Sequence, residues 1–430
     1  MKIGNRKTVN LKKILTISSL MILLSTTFIM HYENKILTYI YLPLELLSII
    51  YLTKGNFRKI KHSKYMLFIM AMELAVLIPT IIEKRLSYSY GCMLIVEMFL
   101  VLYILNNTQL GLQKIIADLS NALSALWIID IISVVLRLIM NNYSNSEFGF
   151  VGHKNNHAFL FVLVIGFKVM SNILTGKKIV DKKIRIIAII CIGIEFVVGS
   201  TSGAFTIITI VLLCFLMTKG KLNVLNLTNM FIGELVLNYI LIFAISKSKI
   251  IQDILNLMGR GVGMTGRGVM WRYALELIGK HPLRGYGHAQ PVIVWNMTAG
   301  DYMQNHCHNF FLNLVLSGGL IYFVLFIGFV LVVAKKIKDN GNSPVHKVLA
   351  YTIACYILLG TSEIIVTVVP VLFPLLTLGF YSKNIIRAGF ISYEDNKRNP
   401  VRTRGSMVTY QESKEKTGCC KVGSKALCRD

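Results

Sequence analysis

Residues 309–334 read NFFLNLVLSGGLIYFVLFIGFVLVVA and contain no charged side chain. This run is longer than the roughly 20 apolar residues that an α-helix needs to cross a bilayer core. Similar apolar runs follow one another along most of the chain, separated by short polar islands. The whole sequence is 54% hydrophobic and 16% charged, whereas a soluble domain carries about 25% charged residues. We therefore expect lipid to be the main solvent of this protein.

Hydropathy predicts an all-α polytopic membrane protein with about twelve transmembrane helices and one long extracytoplasmic loop. The seventh, eighth and twelfth runs are short for a span and could be tilted, broken or partly re-entrant. We expect residues 1–386 to form the transmembrane domain, residues 247–308 its large outer loop, and residues 387–430 a disordered basic cytosolic tail. The predicted spans are 14–30, 36–52, 65–82, 90–105, 119–140, 157–174, 184–198, 203–217, 227–246, 309–334, 348–368 and 371–386.

Lysine and arginine concentrate in alternate connections, which predicts a multi-pass protein of the cell membrane with both termini in the cytosol. The net charge of +25 is spread over these islands, and no zinc-finger spacing, basic helix or aromatic RNA-binding motif accompanies it. We therefore expect contact with anionic lipid headgroups and not with nucleic acid. The tail cysteines Cys419 and Cys420 could be palmitoylated or be free thiols.

The predicted outer loop, residues 247–308, is unusual because its lysines and arginines outnumber its carboxylates. Within it, Thr265 can cap a helix that runs to about Lys280. Arg267 shares a face of that helix with an apolar stripe, so we expect an amphipathic helix in the membrane plane with this arginine near the headgroups. A helix of a soluble loop with a solvated arginine remains the alternative. The stripe consists of Trp271, Ala274, Leu275 and Ile278.

Three segments of this region resemble the O-antigen polymerase/ligase superfamily (Wzy-like). They are TGRGVMW at 265–271, PLRGYG at 282–287 and the pair His308-Asn309. In family ligases a histidine-asparagine pair is followed by nine residues and a Gly-x-x-Tyr type motif, which matches Gly319–Tyr322 here. The stretch GFVGHKNNH at 149–157 resembles a segment of polymerases from Gram-positive capsule and exopolysaccharide systems, with Lys154 in place of the usual proline. This second likeness favours a polymerase.

The resemblance implies a metal-independent glycosyltransferase that needs no cofactor and uses an undecaprenyl-pyrophosphate-linked sugar donor. Arg267 and Arg284 are the candidates for binding the pyrophosphate, because guanidinium groups can hold it bidentately and offset developing charge. His308 matches the family's proposed base, and a histidine titrates near neutral pH. Asp301 is the alternative base.

Further residues could bind the sugar or phosphate groups of the substrate, although a polar loop end that caps the sixth span is an equally good interpretation of residues 153–156. The family's Ser-Arg-Gly type segment stands here as GSTSG at 199–203 and lacks the arginine, so another basic residue, Lys154 or Arg272, would replace it. Hydroxyl groups and a helix N-terminus in that segment could bind an anion weakly. The substrate-binding candidates are His153, Lys154, Asn156, Arg272, Asn309 and Asp301.

The pattern His306-Cys307-His308 invites a metal interpretation, but zinc needs further ligands and no matching pair lies elsewhere in the outer loops, so we expect no metal. The sequence therefore predicts polymerisation of lipid-linked repeat units into capsular or exopolysaccharide. A ligase-like transfer to another acceptor is the alternative, and the many acidic residues in apolar runs would also suit a flippase or exporter. A chain-length regulator and a flippase are the expected protein partners.

Overall fold

The computed structural model describes residues 3–29, 35–53, 64–84, 88–107, 112–140, 149–152, 155–220, 225–244, 267–288, 293–297, 300–304, 307–339, 343–361 and 369–381. In these residues it contains thirteen α-helices and one two-stranded antiparallel sheet. The helices are α1 (Ile3–Ile29), α2 (Lys35–Thr53), α3 (Lys64–Ile82), α4 (Tyr88–Asn107), α5 (Leu112–Ile139), α6 (Asn156–Leu174), α7 (Lys182–Val197), α8 (Thr201–Thr218), α9 (Leu227–Ala244), α10 (Arg267–Lys280), α11 (Phe310–Asp339), α12 (Pro344–Gly360) and α13 (Val369–Phe380). The strands are β1 (Ile293–Met297) and β2 (Gly300–Gln304).

Every predicted span coincides with a helix, and α10 is the predicted additional helix of the long loop. Four described helices, α5, α6, α8 and α11, are long and apolar enough to cross a membrane by length and composition, and shorter apolar helices accompany them. An integral membrane protein built of several apolar helices is therefore confirmed. The count of about twelve spans and the cytosolic position of both termini stay predictions, as do the proposed domain boundaries.

Helix α6 lies at the centre of the bundle and packs against α5, α8 and α12. It is apolar on all sides, as is typical of a helix surrounded by others, and its residues from Asn156 to Phe167 are all buried. Gly166 leaves no room for a side chain beside Thr352 of α12. The outer helices instead expose large apolar side chains, such as Ile189 of α7 and Phe205 of α8, which suits a surface that faces lipid.

Helix α11 is broken at Gly319, which has a φ of 69° and a ψ of −170°. The break leaves backbone groups without helical partners, and the segment PLRGYG (282–287) supplies them. Tyr286 N–H donates to Leu316 O at 2.7 Å, Gly287 N–H donates to Ser317 O at 2.8 Å, and Leu320 N–H donates to the Pro282 carbonyl at 2.8 Å. Irregular backbone at membrane depth is stable where protein groups satisfy it in this way.

The expectation was that the short seventh, eighth and twelfth spans could be tilted, broken or partly re-entrant, and the break at Gly319 lies in the tenth span. Helices α7 and α8 are continuous in the structure, and the interruption lies in α11, the longest apolar run. Its sequence signal is Gly318-Gly319. A glycine is nevertheless tolerated inside a helix, at a cost of about 1 kcal/mol relative to alanine. The glycine pair and the hydropathy of the run therefore did not reveal the break.

The structure changes the prediction for the long loop in two respects. The strands β1 and β2 pair in antiparallel register from Ile293 with Gln304 to Met297 with Gly300, so the loop is not purely helical. Helix α10 packs on α11 through a buried cluster, which gives its apolar face a protein partner. The expectation that this helix lies in the membrane plane stays a prediction.

Substituting Gly319 with alanine should destabilise the fold. A left-handed backbone costs a residue with a side chain about 1–2 kcal/mol, and the added carbon would collide with the carbonyl of Leu283. We expect less monodisperse protein by size-exclusion chromatography in detergent and a lower melting temperature. The control is Gly328→Ala in the same helix, where the new carbon meets only the ring edge of Phe68 at 3.9 Å. Equal stability of the two variants would contradict this account of the break.

Candidate functional site

Helix α10 presents one buried face, formed by Arg267, Met270, Trp271, Ala274 and Leu277. The predicted stripe shares two of these residues, and the other two, Leu275 and Ile278, lie half-buried at its edge. The opposite side carries Arg272, Glu276 and Lys280, which are all exposed. We call the buried group around this face the loop cluster. It consists of Met270, Trp271, Ala274, Leu277, Tyr286, Cys307, Leu312 and Leu316.

Arg267 is the first residue of α10 and only 9% of its surface is exposed. The N-terminal end of a helix carries a partial positive charge and favours anions over cations. A buried guanidinium at this end therefore adds positive charge where the helix already supplies some. Such a place favours an anion, and the role of Arg267 in binding the pyrophosphate stays a prediction. The predicted cap, Thr265, lies outside the described residues.

Trp271 connects α10 to the residue before His308. Its indole N–H donates to Cys307 O at 2.9 Å, and both groups are buried. The amide and thiol of Cys307 lie 3.3 Å and 3.2 Å from Asn313 Oδ1 and donate to it. Burial raises the pKa of the Cys307 thiol to about 12, so this thiol is protonated at neutral pH and serves as a hydrogen-bond donor.

His308 is half-buried and adopts a left-handed backbone with a φ of 48°. Such a conformation is rare for a residue with a side chain and is often found at functional sites. Its neighbours hold it from both sides, because Cys307 is fixed by Trp271 and Asn309 by the helix that follows. The predicted base therefore lies at a rigid position immediately before α11.

Asn309 is fully buried and caps α11, since its Oδ1 accepts from Leu312 N–H at 3.0 Å. Its side-chain amide donates to Asn238 Oδ1 of α9 at 2.7 Å and to Thr361 O, at the end of α12, at 3.2 Å. We predicted a substrate contact here, and the structure places both ends of this side chain in contacts within the protein. Asn238, which the sequence analysis missed, stands out only as a polar residue in an apolar run.

Arg284 lies on the segment that fills the break in α11, and its guanidinium is 3.0 Å from the carboxylate of Glu83. The same segment is anchored to α3, because His288 N–H donates to Thr80 Oγ1 at 2.9 Å. It is anchored to α10 as well, because Tyr286 Oη donates to Leu277 O at 3.0 Å. Glu83 was not a predicted site residue, since an acidic residue at the end of a span carries no motif.

The segment at 149–157 is held by a buried carboxylate. Oδ2 of Asp130 lies 2.7 Å from Nδ1 of His157, with both side chains fully buried, and Oδ1 accepts from the N–H groups of Phe150 and Val151 at 3.1 Å. Asn156 donates to Val151 O at 3.1 Å. These contacts favour the structural interpretation of Asn156, and His153 and Lys154 lie outside the described residues.

In the segment GSTSG (199–203), Gly199 and Ser200 precede α8 and residues 201–203 form its first turn. Ser200 is buried and Thr201 exposed, and Gly203 has no room for a side chain because the carboxyl group of Glu195 lies against it. An acidic group of the protein therefore already occupies the start of α8, where we had considered weak binding of an anion.

The remaining candidate residues lie apart from the loop cluster, or their side chains are not among the described ones. Arg272 is exposed on the far side of α10. Asp301 lies in β2, paired through its backbone with Asn296, and its side chain is not described. Within the described ranges no three His, Cys, Asp or Glu side chains lie close enough to hold a metal ion, and His306 falls outside those ranges.

Residues 186–327 match the family model described as O-antigen ligase (Wzy_C). No curated protein matches the chain. The matched region contains Arg267, Arg284 and His308 together with the break at Gly319. The resemblance to the O-antigen polymerase/ligase superfamily is thereby confirmed, and the family indicates glycan transfer of the polymerase/ligase type on a lipid-linked glycan in a membrane.

Replacing Trp271 with phenylalanine should lower activity more than it lowers the amount of folded protein. Phenylalanine keeps most of the buried surface but leaves Cys307 O without its indole donor, a loss of about 1–3 kcal/mol for a buried acceptor. We expect at least a severalfold drop in glycan transfer in membranes with matched protein levels. Tyr273→Phe, a polar aromatic change on the same helix outside this bond, is the control, and equal activity of both variants would count against the connection.

Proposed function

On the basis of the match at residues 186–327, we propose that the chain polymerises oligosaccharide repeat units carried on undecaprenyl pyrophosphate. The product would be capsular or exopolysaccharide, made at the outer face of the cytoplasmic membrane. The observation that supports this most is the gathering of three predicted site segments on the broken helix α11. The buried N-terminal face of α10, the Arg284 segment and the Cys307–Asn309 turn all meet there.

The chemistry follows from the charges on these segments. The acceptor hydroxyl attacks the anomeric carbon, its proton passes to the His308 imidazole, and the bond from that carbon to the pyrophosphate oxygen breaks. Arg267 and Arg284 offset the negative charge that builds on the departing pyrophosphate, which leaves as the lipid diphosphate. The positive end of α10 acts in the same direction as Arg267. This step requires no metal ion and no nucleotide sugar.

The segment at 149–157 supports a polymerase in preference to a ligase. Its likeness to polymerases of capsule and exopolysaccharide systems is joined by the buried Asp130–His157 pair, which fixes its backbone. A buried acceptor that loses its hydrogen-bond partner costs about 1–3 kcal/mol, so these contacts fix the described residues Phe150, Val151 and His157. Ligase-like transfer is the second candidate, because the matched family model carries the description O-antigen ligase. The family match disfavours a flippase or exporter.

Deletion of the gene should leave cells with single repeat units on the lipid carrier, and the wild-type gene should restore long polymer. Arg267→Ala should fail to restore it although the protein inserts and accumulates, because the pyrophosphate loses its buried cationic partner. Polymer length on gels and lipid-linked intermediates by mass spectrometry provide the readouts. Unchanged polymer lengths after deletion would rule out the polymerase, and long carrier-bound polymer that reaches no final acceptor would indicate the ligase.

Both His308→Ala and His308→Asn should lower the turnover rate at least about a hundredfold, the usual loss for a proton-transfer group. Asparagine tolerates the left-handed backbone at this position, so it separates the loss of the imidazole from a change of conformation. His281→Ala is the matched control, because it removes another histidine of the described loop segment. A near-normal rate for His308→Asn would transfer the role of base to Asp301.

A further inference from the structure

The closest described partner of Arg284 is the carboxylate of Glu83, at 3.0 Å, with the two side chains 38% and 23% exposed. If Arg284 binds the pyrophosphate, as proposed above, this contact stands in the way. One of its N–H donors is already occupied by an anion of the protein, and a phosphate beside Glu83 would meet a like charge. The role of Glu83 therefore needs an explanation.

The pair is not an accidental meeting of two flexible side chains. Thr80, one turn before Glu83 on α3, accepts from His288 N–H at 2.9 Å. Gly287 lies so close to the Thr80 backbone that a side chain there would collide with it. The segment that carries Arg284 is therefore anchored beside the end of α3, in a register that places the guanidinium next to Glu83.

The position of Glu83 adds a second electrostatic consideration. It follows the last residue of α3, and its N–H still donates to Pro79 O at 2.9 Å. The C-terminal end of a helix carries a partial negative charge and disfavours a carboxylate. The guanidinium of Arg284 offsets both the carboxylate and the helix end, so this arginine is already neutralised before any substrate arrives.

We propose that Glu83 competes with the substrate pyrophosphate for Arg284, an inference that rests on the proposed function. The carboxylate occupies the arginine in the empty site, the more highly charged pyrophosphate displaces it, and it returns when the lipid diphosphate leaves. Glu83 thereby weakens binding of the carrier and assists its release. The partial exposure of the pair suits this exchange, because half-exposed ion pairs are weak compared with a bidentate phosphate contact.

The test is a titration of the full chain in neutral-lipid nanodiscs with inorganic pyrophosphate, combined with steady-state kinetics on the lipid-linked donor. Glu83→Gln should bind pyrophosphate about two- to fivefold more tightly, the factor expected from losing an exposed ion pair. The KM should fall by a similar factor while kcat stays within about threefold of wild type. In an Arg284→Ala background the Glu83→Gln substitution should change the KM less than it does in the wild type, because the competition acts through this arginine.

Glu276→Gln is the matched control, since it removes an exposed carboxylate of α10 and makes the same change in net charge. Weaker pyrophosphate binding by Glu83→Gln would overturn the inference and indicate that Glu83 orients Arg284. A hundredfold loss of kcat at unchanged KM would overturn it as well and make Glu83 a proton acceptor. If Glu83→Gln and Glu276→Gln tightened pyrophosphate binding equally, the effect would come from the change in net charge and the inference would be overturned.

The same measurements separate this inference from the proposed function. If wild type binds pyrophosphate, Arg284→Ala loses that binding and Glu83→Gln changes nothing, then only the competition by Glu83 is refuted. If neither the wild type nor any variant binds pyrophosphate, then the pyrophosphate site itself is refuted and the competition falls with it.

Discussion

The replacement of lost backbone hydrogen bonds at Gly319 is the constraint on which the rest of the site depends. Gly318 and Gly319 are buried, so water does not satisfy free N–H and C=O groups there and the break requires a protein partner. The segment at 282–287 is that partner, with three backbone hydrogen bonds to residues on both sides of the break. Because it must dock at this place, Arg284 is fixed relative to α11 and, through Thr80, relative to α3.

The first part of α11 sets the distance between the turn that contains His308 and the segment that docks at the break. Residues 310–318 rise about 13 Å at 1.5 Å per residue, so the turn with His308 and the docked segment lie at opposite ends of a rigid half-helix. The nine-residue spacing in the family pattern is thus the length of this half-helix. Asn309 fixes its start by capping Leu312 N–H, and the indole of Trp271 fixes the preceding residue.

Motifs identified candidate site residues, whose roles stay predictions, and they did not reveal residues that are defined by their partners. Arg267, Arg284 and His308 were identified in advance, and the structure brings their segments together on α11. Asn309 belonged to the same motif, but its buried amide caps a helix and links α9 to α12. Glu83, Asn238 and Asp130 had no motif, because each is defined by a contact with a residue distant in sequence. His157 lay in the quoted segment at 149–157 but was not named as a site residue.

The sequence by itself determined that lipid is the main solvent of the protein, where its apolar helices lie along the chain, that the long loop is basic, and which family the chain resembles. Each of these depends on local composition or on a short ordered motif, and lipid imposes helical structure on any long apolar run. Only the tertiary structure decided where α11 breaks, which surface covers α10 and which carboxylate faces Arg284. The physical reason is that these features depend on hydrogen bonds and ion pairs between distant segments, such as His288 and Thr80, which are 208 residues apart. No local pattern specifies such a pairing, because it forms only when the helices pack.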